Sequence, residues 1–485
     1  MRHPARRTAT RLVTASAAIG LIASLTSGPA AADPQNDALT PPVAAGGEVV
    51  PMNYAINAFE VRDGDWDERS YQKSTRAVKR AVRAEGGELL RSFPKIGVVI
   101  ARATDASFVD AMRSAEHEDI VESIGATRTS PTTIPNDGRA PRDIMLSPDL
   151  EPDPLEGDQW GNEELNSLAA NEIEPGSPDV LVGILDSGVD HDHPDLAAAI
   201  DPAASVDCTN NGIEETDPAE WQATNGSHGT HVAGTVVAQR NGIGVAGIAP
   251  GVKIGSVKVV NPDGFIFPEY AICGFMWATH KDMDVTNNSY YIDPWLFWCP
   301  EDEDQGAVLE AVGRALDWSS HKGTVNVAAA GNANTDLANK TTDSSSPNDS
   351  TPIEDRPVDG CFDIPTEHDG VVTVASTTES DQRSSFSNYG FEVIDVSAPG
   401  SDILSTVVGG GYSFFSGTSM ASPHVSGVLA LLASANPDAT PAELVEILED
   451  TAEDRACGGA TGCVGDAGYN GFFGHGVVDA LAAVS

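Results

Sequence analysis

Short apolar runs punctuated by turn residues recur along the chain, and they fall into two sets. In the first, from about Tyr54 to Arg128, the pattern predicts a strand over Ala55–Val61 and a helix from Ser74 that closes at Gly86-Gly87. Strands over Glu88–Phe93 and Ile96–Ala103 meet at Pro94-Lys95, and a helix from Asp105 leads to a last strand, Ile120–Ala126. Strand, helix, two strands, helix, strand is the order of a small ferredoxin-like α+β unit. A linker at 129–157, rich in Thr, Pro, Asp and Gly, has no sustained periodicity. Beyond it, apolar strands are expected at Val180–Leu185, Ile254–Val260, Val285–Asn287, Val325–Ala330 and Val371–Ala375. Helix-like stretches lie between them, the two best following His228 and Ser419. Such alternation predicts an α/β body: a doubly wound, mostly parallel sheet with helices on both faces.

Composition adds a compartment and narrows the partners. The 485 residues are 40% hydrophobic with 47 Gly and 31 Pro, enough for a core with many loops. The net charge of −44 is uneven: residues 1–150 hold 18 basic and 19 acidic side chains, residues 151–485 hold 10 and 53. A surface of that sign repels nucleic acid and anionic membranes, so neither is expected as a partner. Arg2, Arg6, Arg7 and Arg11 precede an apolar run from about Leu12 to Leu25, and then Ala30-Ala31-Ala32. That order marks residues 1–32 as a secretory signal peptide, with 33–53 a flexible leader. A secreted, extracellular protein is expected. All six cysteines lie beyond residue 200, which suits disulfides in an exported protein. Cys457 and Cys463 bracket a short Gly-rich loop and form the expected local pair; the other pairings stay open.

Three segments carry candidate chemistry. In Val182-Gly183-Ile184-Leu185-Asp186-Ser187-Gly188, an apolar strand ends in a carboxylate and a turn. In His228-Gly229-Thr230-His231-Val232-Ala233-Gly234, small residues suit close helix-to-sheet packing with His228 at the helix start. Two histidines three apart also suit a metal pair, although no further ligand stands at sensible spacing. In Gly417-Thr418-Ser419-Met420-Ala421-Ser422-Pro423-His424, a serine opens an almost wholly apolar helix, where free N–H groups favour negative charge.

Together, in the order Asp, His, Ser, these segments resemble the subtilisin-like serine proteases of the subtilase family, over roughly residues 155–485. The resemblance implies Ser419 as nucleophile, His228 as general base and Asp186 as the acid that orients it. It assigns Asn332, at the end of Val327-Ala328-Ala329-Ala330-Gly331-Asn332, to the oxyanion hole. It implies walls of a specificity pocket at Ser289, Tyr290 and Tyr291 and at Ala329, Ala330 and Gly331. A structural Ca²⁺ site would use Asp195, the Asn241 side chain and the carbonyls of Gln239, Ile243 and Val245, with Glu156 as a further candidate. The front unit, 54–128, resembles the family's inhibitor-like propeptide, with processing in the 129–157 linker and a catalytic domain over 158–485.

The chain departs from the family where Asn288 is followed by Ser289-Tyr290-Tyr291-Ile292-Asp293, then Pro294, Trp295, Phe297 and Trp298. Relatives have small residues on this wall. Either the pocket narrows, or the strand is re-aimed and the aromatics form an added lobe or local core. The expected function is a monomeric serine endopeptidase acting on proteins or peptides, made as a zymogen with its own propeptide as inhibitor. A narrow processing protease and a non-catalytic binding protein with a relict site are the alternatives.

Overall fold

The computed structural model describes residues 50–59, 68–130, 154–224 and 226–485. The expected signal peptide, most of the leader and all but the two ends of the linker lie outside the described residues.

The front unit has β1 (Met52–Ala58), α1 (Glu68–Ala84), β2 (Glu88–Phe93), β3 (Val98–Ala103), α2 (Phe108–Met112) and β4 (Val121–Ala126). Its strands form an antiparallel sheet in the order β2-β3-β1-β4. Strand β1 starts earlier than the apolar pattern predicts, because both of its faces are covered and all seven residues are buried. Tyr54 and Ile56 pack with Val78, Val82 and Phe108 inside the unit. The alternate residues Asn53, Ala55 and Asn57 face the other way, and Ala55 joins a core shared with the body. Polar residues there mark an interface, which periodicity alone cannot distinguish from a solvated face.

The body is an eight-stranded sheet in the order β12-β11-β10-β9-β5-β8-β6-β7. These strands are β5 (Leu181–Asp186), β6 (Val206–Asn210), β7 (Ile213–Glu215), β8 (Lys253–Lys258), β9 (Val285–Asn288), β10 (Val325–Ala329), β11 (Val371–Thr377) and β12 (Val396–Pro399). Every pairing is parallel except the β6–β7 hairpin. Four main helices cover the sheet: α3 (His228–Val237), α4 (Pro268–His280), α5 (Glu303–His321) and α6 (Thr418–Ala435). Helices α3 and α6 share one apolar core and α4 and α5 another, so the sheet is buried on both sides. The expected α/β architecture is therefore present.

The segment between Asp186 and His228 carries the β6–β7 hairpin. Cys208 in β6 is bonded to Cys273 in α4. Its tip meets the front sheet: Asn211 Oδ1 accepts from Arg102 Nη2 at 2.7 Å and from Asn53 Nδ2 at 3.0 Å. Helix α5 supplies another part of the seat. Asn57 Nδ2 donates to the Ala307 carbonyl at 2.8 Å, and Arg314 donates to the Ala58 carbonyl at 3.0 Å. A Cβ on Gly125 would stand 2.0 Å from the Asp304 carbonyl oxygen, so a side chain there would lift β4 off α5.

Candidate active site

Three strands end side by side. Register pairs Leu185 with Asn288 and Ala328 with Asn288, so Asp186, Ser289 and Ala329 emerge together at the carboxyl edge of the sheet. In doubly wound sheets this edge is where ligands bind. Asp186 is buried, and its oxygens lie 2.8 and 3.0 Å from His228 Nδ1. The Ser187 N–H donates to the same carboxylate at 2.7 Å. Helix α3 begins at His228, and Gly229 lets its first turn approach: a Cβ there would stand 2.4 Å from the Gly188 carbonyl oxygen. Burial works against a charged imidazole, but the Asp186 charge and hydrogen bond outweigh it and hold the His228 pKa above its ordinary value.

Ser419 lies in the first turn of α6 and is 9% exposed. Pro423, four residues on, has no N–H to give to the Ser419 carbonyl. The Ser289 hydroxyl fills that gap, donating to the Ser419 carbonyl at 2.9 Å. In return, the Ser419 hydroxyl faces the Ser289 carbonyl at 3.4 Å. The odd sequence Ser-Met-Ala-Ser-Pro thus ties the end of β9 to the head of α6.

Asn332 closes the site from β10. Its Oδ1 accepts from the Thr418 N–H at 2.8 Å and the Thr418 hydroxyl at 3.0 Å, which leaves the Nδ2 amide as the group available to a ligand. Gly331 before it has φ +96°, and a Cβ there would stand 2.4 Å from Asn388 Nδ2. Asn388 braces this loop: it donates to the Ala330 carbonyl at 2.8 Å and accepts from the Ala333 and Thr335 N–H groups at 3.0 and 2.9 Å. Nothing in the sequence singles Asn388 out, because its role exists only in the folded loop.

Ser419 and Asn332 open into a cavity of about 380 Å³. Ser289, Tyr290, Tyr291, Ala329 and Gly331 line it. Ala330 does not; its side chain is buried with Ala375 and Ile394, because alternate residues of an extended segment point to opposite sides. The two readings of the aromatic run resolve into one. Trp295, Phe297 and Trp298 are buried as local core beside the Cys299–Cys361 disulfide, while Tyr290 and Tyr291 remain on an open pocket. The far wall carries two further carboxylates, Asp293 and Asp363. Cys457 and Cys463 form the expected local pair.

His231 is not half of a metal pair. It is buried, its Nε2 lies 2.9 and 3.1 Å from the Ile403 and Ser413 carbonyls, and its ring stacks on Phe415. Burial pushes its pKa down to about 3, so it stays neutral.

The 239–245 loop lies against Asp195 as expected. Asp195 Oδ2 accepts from the Tyr412 hydroxyl at 2.8 Å and the Val245 N–H at 3.1 Å, whereas Oδ1 is buried without a partner. The carbonyls of Gln239, Ile243 and Val245 accept no hydrogen bond among the described residues. Among the described residues Asn241 Oδ1 accepts only from the Ile243 N–H, leaving a lone pair. One orphaned carboxylate oxygen among unspent carbonyls fits a hard cation. Glu156, the further candidate, pairs with Arg240 at 2.6 Å. Among the described residues, no group of three His, Cys, Asp or Glu side chains is placed to hold a metal.

Comparison with known proteins agrees with this geometry. The subtilase family model matches residues 177–476. Subtilisin NAT from Bacillus subtilis subsp. natto is 32% identical over 362 residues, covering 71% of this chain and 82% of its own. Fervidolysin from Fervidobacterium pennivorans is 28% identical, over 84% of this chain and 58% of its own. Among solved structures, the epidermin leader peptide processing serine protease of Staphylococcus aureus superposes with a TM-score of 0.67 at 21% identity, over 90% of this chain and 99% of that one. The chain belongs to the subtilase family and is a serine protease.

Proposed function

We propose that the protein is a secreted endopeptidase that cuts peptide bonds through an acyl-enzyme on Ser419 and is made as a zymogen. The observation that carries this is the convergence, at one sheet edge, of the Asp186–His228 pair, the head of α6 and the Asn332 amide.

A serine hydroxyl attacks a carbonyl only when a base removes its proton. With Nδ1 of His228 held by Asp186, Nε2 is the nitrogen left to do so, and Asp186 stabilises the imidazolium that results. The Ser419 hydroxyl must first leave the Ser289 carbonyl, a rotation about one side-chain bond. Attack places negative charge on the substrate carbonyl oxygen, where Asn332 Nδ2 and the Ser419 N–H at the start of α6 donate to it. The imidazolium then protonates the leaving amine, and water repeats the sequence to free the enzyme.

Front-unit residues hold the role of inhibitor. Support comes from its seat on α4, α5 and the β6–β7 hairpin, next to the catalytic edge, including a buried Arg128–Glu269 ion pair. A Ca²⁺ at Asp195 and the 239–245 loop would brace the segment between α3 and β8 and take no part in the reaction. Among the described residues no helix is long and apolar enough to cross a membrane.

Ser419→Ala tests both parts at once. The variant is expected to abolish hydrolysis of protein substrates and to accumulate with the front unit still covalently attached. Retained hydrolysis by the pure variant would overturn the catalytic assignment; a pure variant that still sheds its front unit would overturn self-processing.

A further inference from the structure

The cavity beside Ser419 is lined by a carboxyl group that no neighbour pairs. Asp293 and Asp363, on its far wall, are 3% and 2% exposed. Asp293 is satisfied: it accepts from the Ile266 N–H at 2.5 Å and from Asn348 Nδ2 at 2.6 Å. Asp363 is not. Its Oδ1 is buried without a partner, and neither carboxylate oxygen accepts a hydrogen bond from a described residue. Oδ2 lies on the Gly331 side, 3.9 Å from where a Gly331 Cβ would stand, and Gly331 lines the cavity.

Nearby cations are already committed. Lys340 Nζ binds Glu367 at 2.6 Å and the Leu337 carbonyl at 2.9 Å. Arg356 binds Asp343 at 3.1 Å and the Phe297 carbonyl at 2.7 Å. Glu367 also accepts the Asp363 N–H at 2.7 Å, so it adds negative charge beside Asp363 rather than relieving it. Burial and that neighbour both raise the Asp363 pKa well above the carboxylate range. A buried carboxylate without donors is costly unless a cation or a proton joins it.

Geometry says which part of a substrate reaches it. The carbonyl under attack has its carbon at Ser419 and its oxygen at Asn332. The side chain of the residue that owns this carbonyl therefore enters the cavity those two residues share. Tyr290, Tyr291, Ile266 and Leu296 offer apolar surface along the way, suited to a methylene stem with a charged tip.

We propose that Asp363 makes this cavity a subsite for a cationic side chain, so that the enzyme cleaves after arginine or lysine. The inference rests on Ser419 being the nucleophile. Asp293, fixed by its own hydrogen bonds, is not the primary contact.

The test uses the full-length chain recovered in active form and peptides differing only at the residue before the cut: Arg, Lys, Leu or Phe. Arg or Lys peptides should exceed Leu and Phe in kcat/KM by about 10²-fold or more, and benzamidine should compete with them. Asp363→Asn should compress that ratio by at least about tenfold. Fluorophosphonate labelling of Ser419 checks that the variant is folded, and the benzamidine result needs no variant. Preference for Leu or Phe in a labelled enzyme, or no competition by benzamidine, would overturn the inference alone. Failure of Ser419 to label and of every peptide to be cut would instead remove the protease reading beneath it.

Discussion

The two ends of the cavity beside Ser419 are built on opposite plans. At the reaction end the working residues are fixed by neighbours through groups they do not use: His228 by Asp186, Asp186 also by the Ser187 N–H, Asn332 by Thr418, and the head of α6 by Ser289. At the far end Asp363 is buried and left open. Preorganised donors are what a transition state needs, since they cost no rearrangement as charge develops. An unpaired group is what recognition needs, because only the right substrate completes it. The fold thus separates rate from choice within one pocket.

Breaking the reaction end should give the largest effects. Asp186→Asn is expected to lower kcat by about 10⁴-fold, since the amide no longer fixes the reactive tautomer of His228. Steady-state kinetics on a good peptide substrate checks this, and a loss under tenfold would mean that His228 is oriented by something else. Asn332→Ala should cost about 10²–10³-fold in kcat with little change in KM, because its amide acts on the charged oxyanion rather than on bound substrate. A change confined to KM would instead place Asn332 in ground-state binding.

A smaller effect is carried by pH. The Asp186 carboxylate holds the His228 pKa above the ordinary histidine value, and the base must be neutral to act. Activity should therefore rise with pH, with the acid limb of kcat/KM centred above the ordinary value, and Asp186→Asn should move that limb downward. The stability linkage has the opposite sign: a raised folded-state pKa favours the protonated fold, so this contribution is present at low pH and fades as pH rises through the folded value. A limb unmoved by Asp186→Asn would show that another group sets it.

The contrast between the two ends also explains what the sequence could reveal. Asp186, His228, Ser419 and Asn332 sit in short contiguous segments at strand ends and helix starts, where local pattern and chemistry coincide. The order of strands and helices was legible for the same reason. Asp363 and Asn388 reach the site from far along the chain, through the Cys299–Cys361 crosslink and the loop after β11, and no local pattern marks them. Ala330 faces away from the cavity because adjacent residues of one extended segment face opposite ways, which the sequence motif does not record. Likewise, the early start of β1 and the purpose of the β6–β7 hairpin depend on an interface between distant segments, which periodicity does not record.

The most direct test of the account is to treat the active protein with a fluorophosphonate and map the adduct by mass spectrometry. The account predicts one stoichiometric label, on Ser419, lost in Ser419→Ala and slowed in Asp186→Asn. A label on another residue, or none on a protein that still cuts peptides, would contradict it.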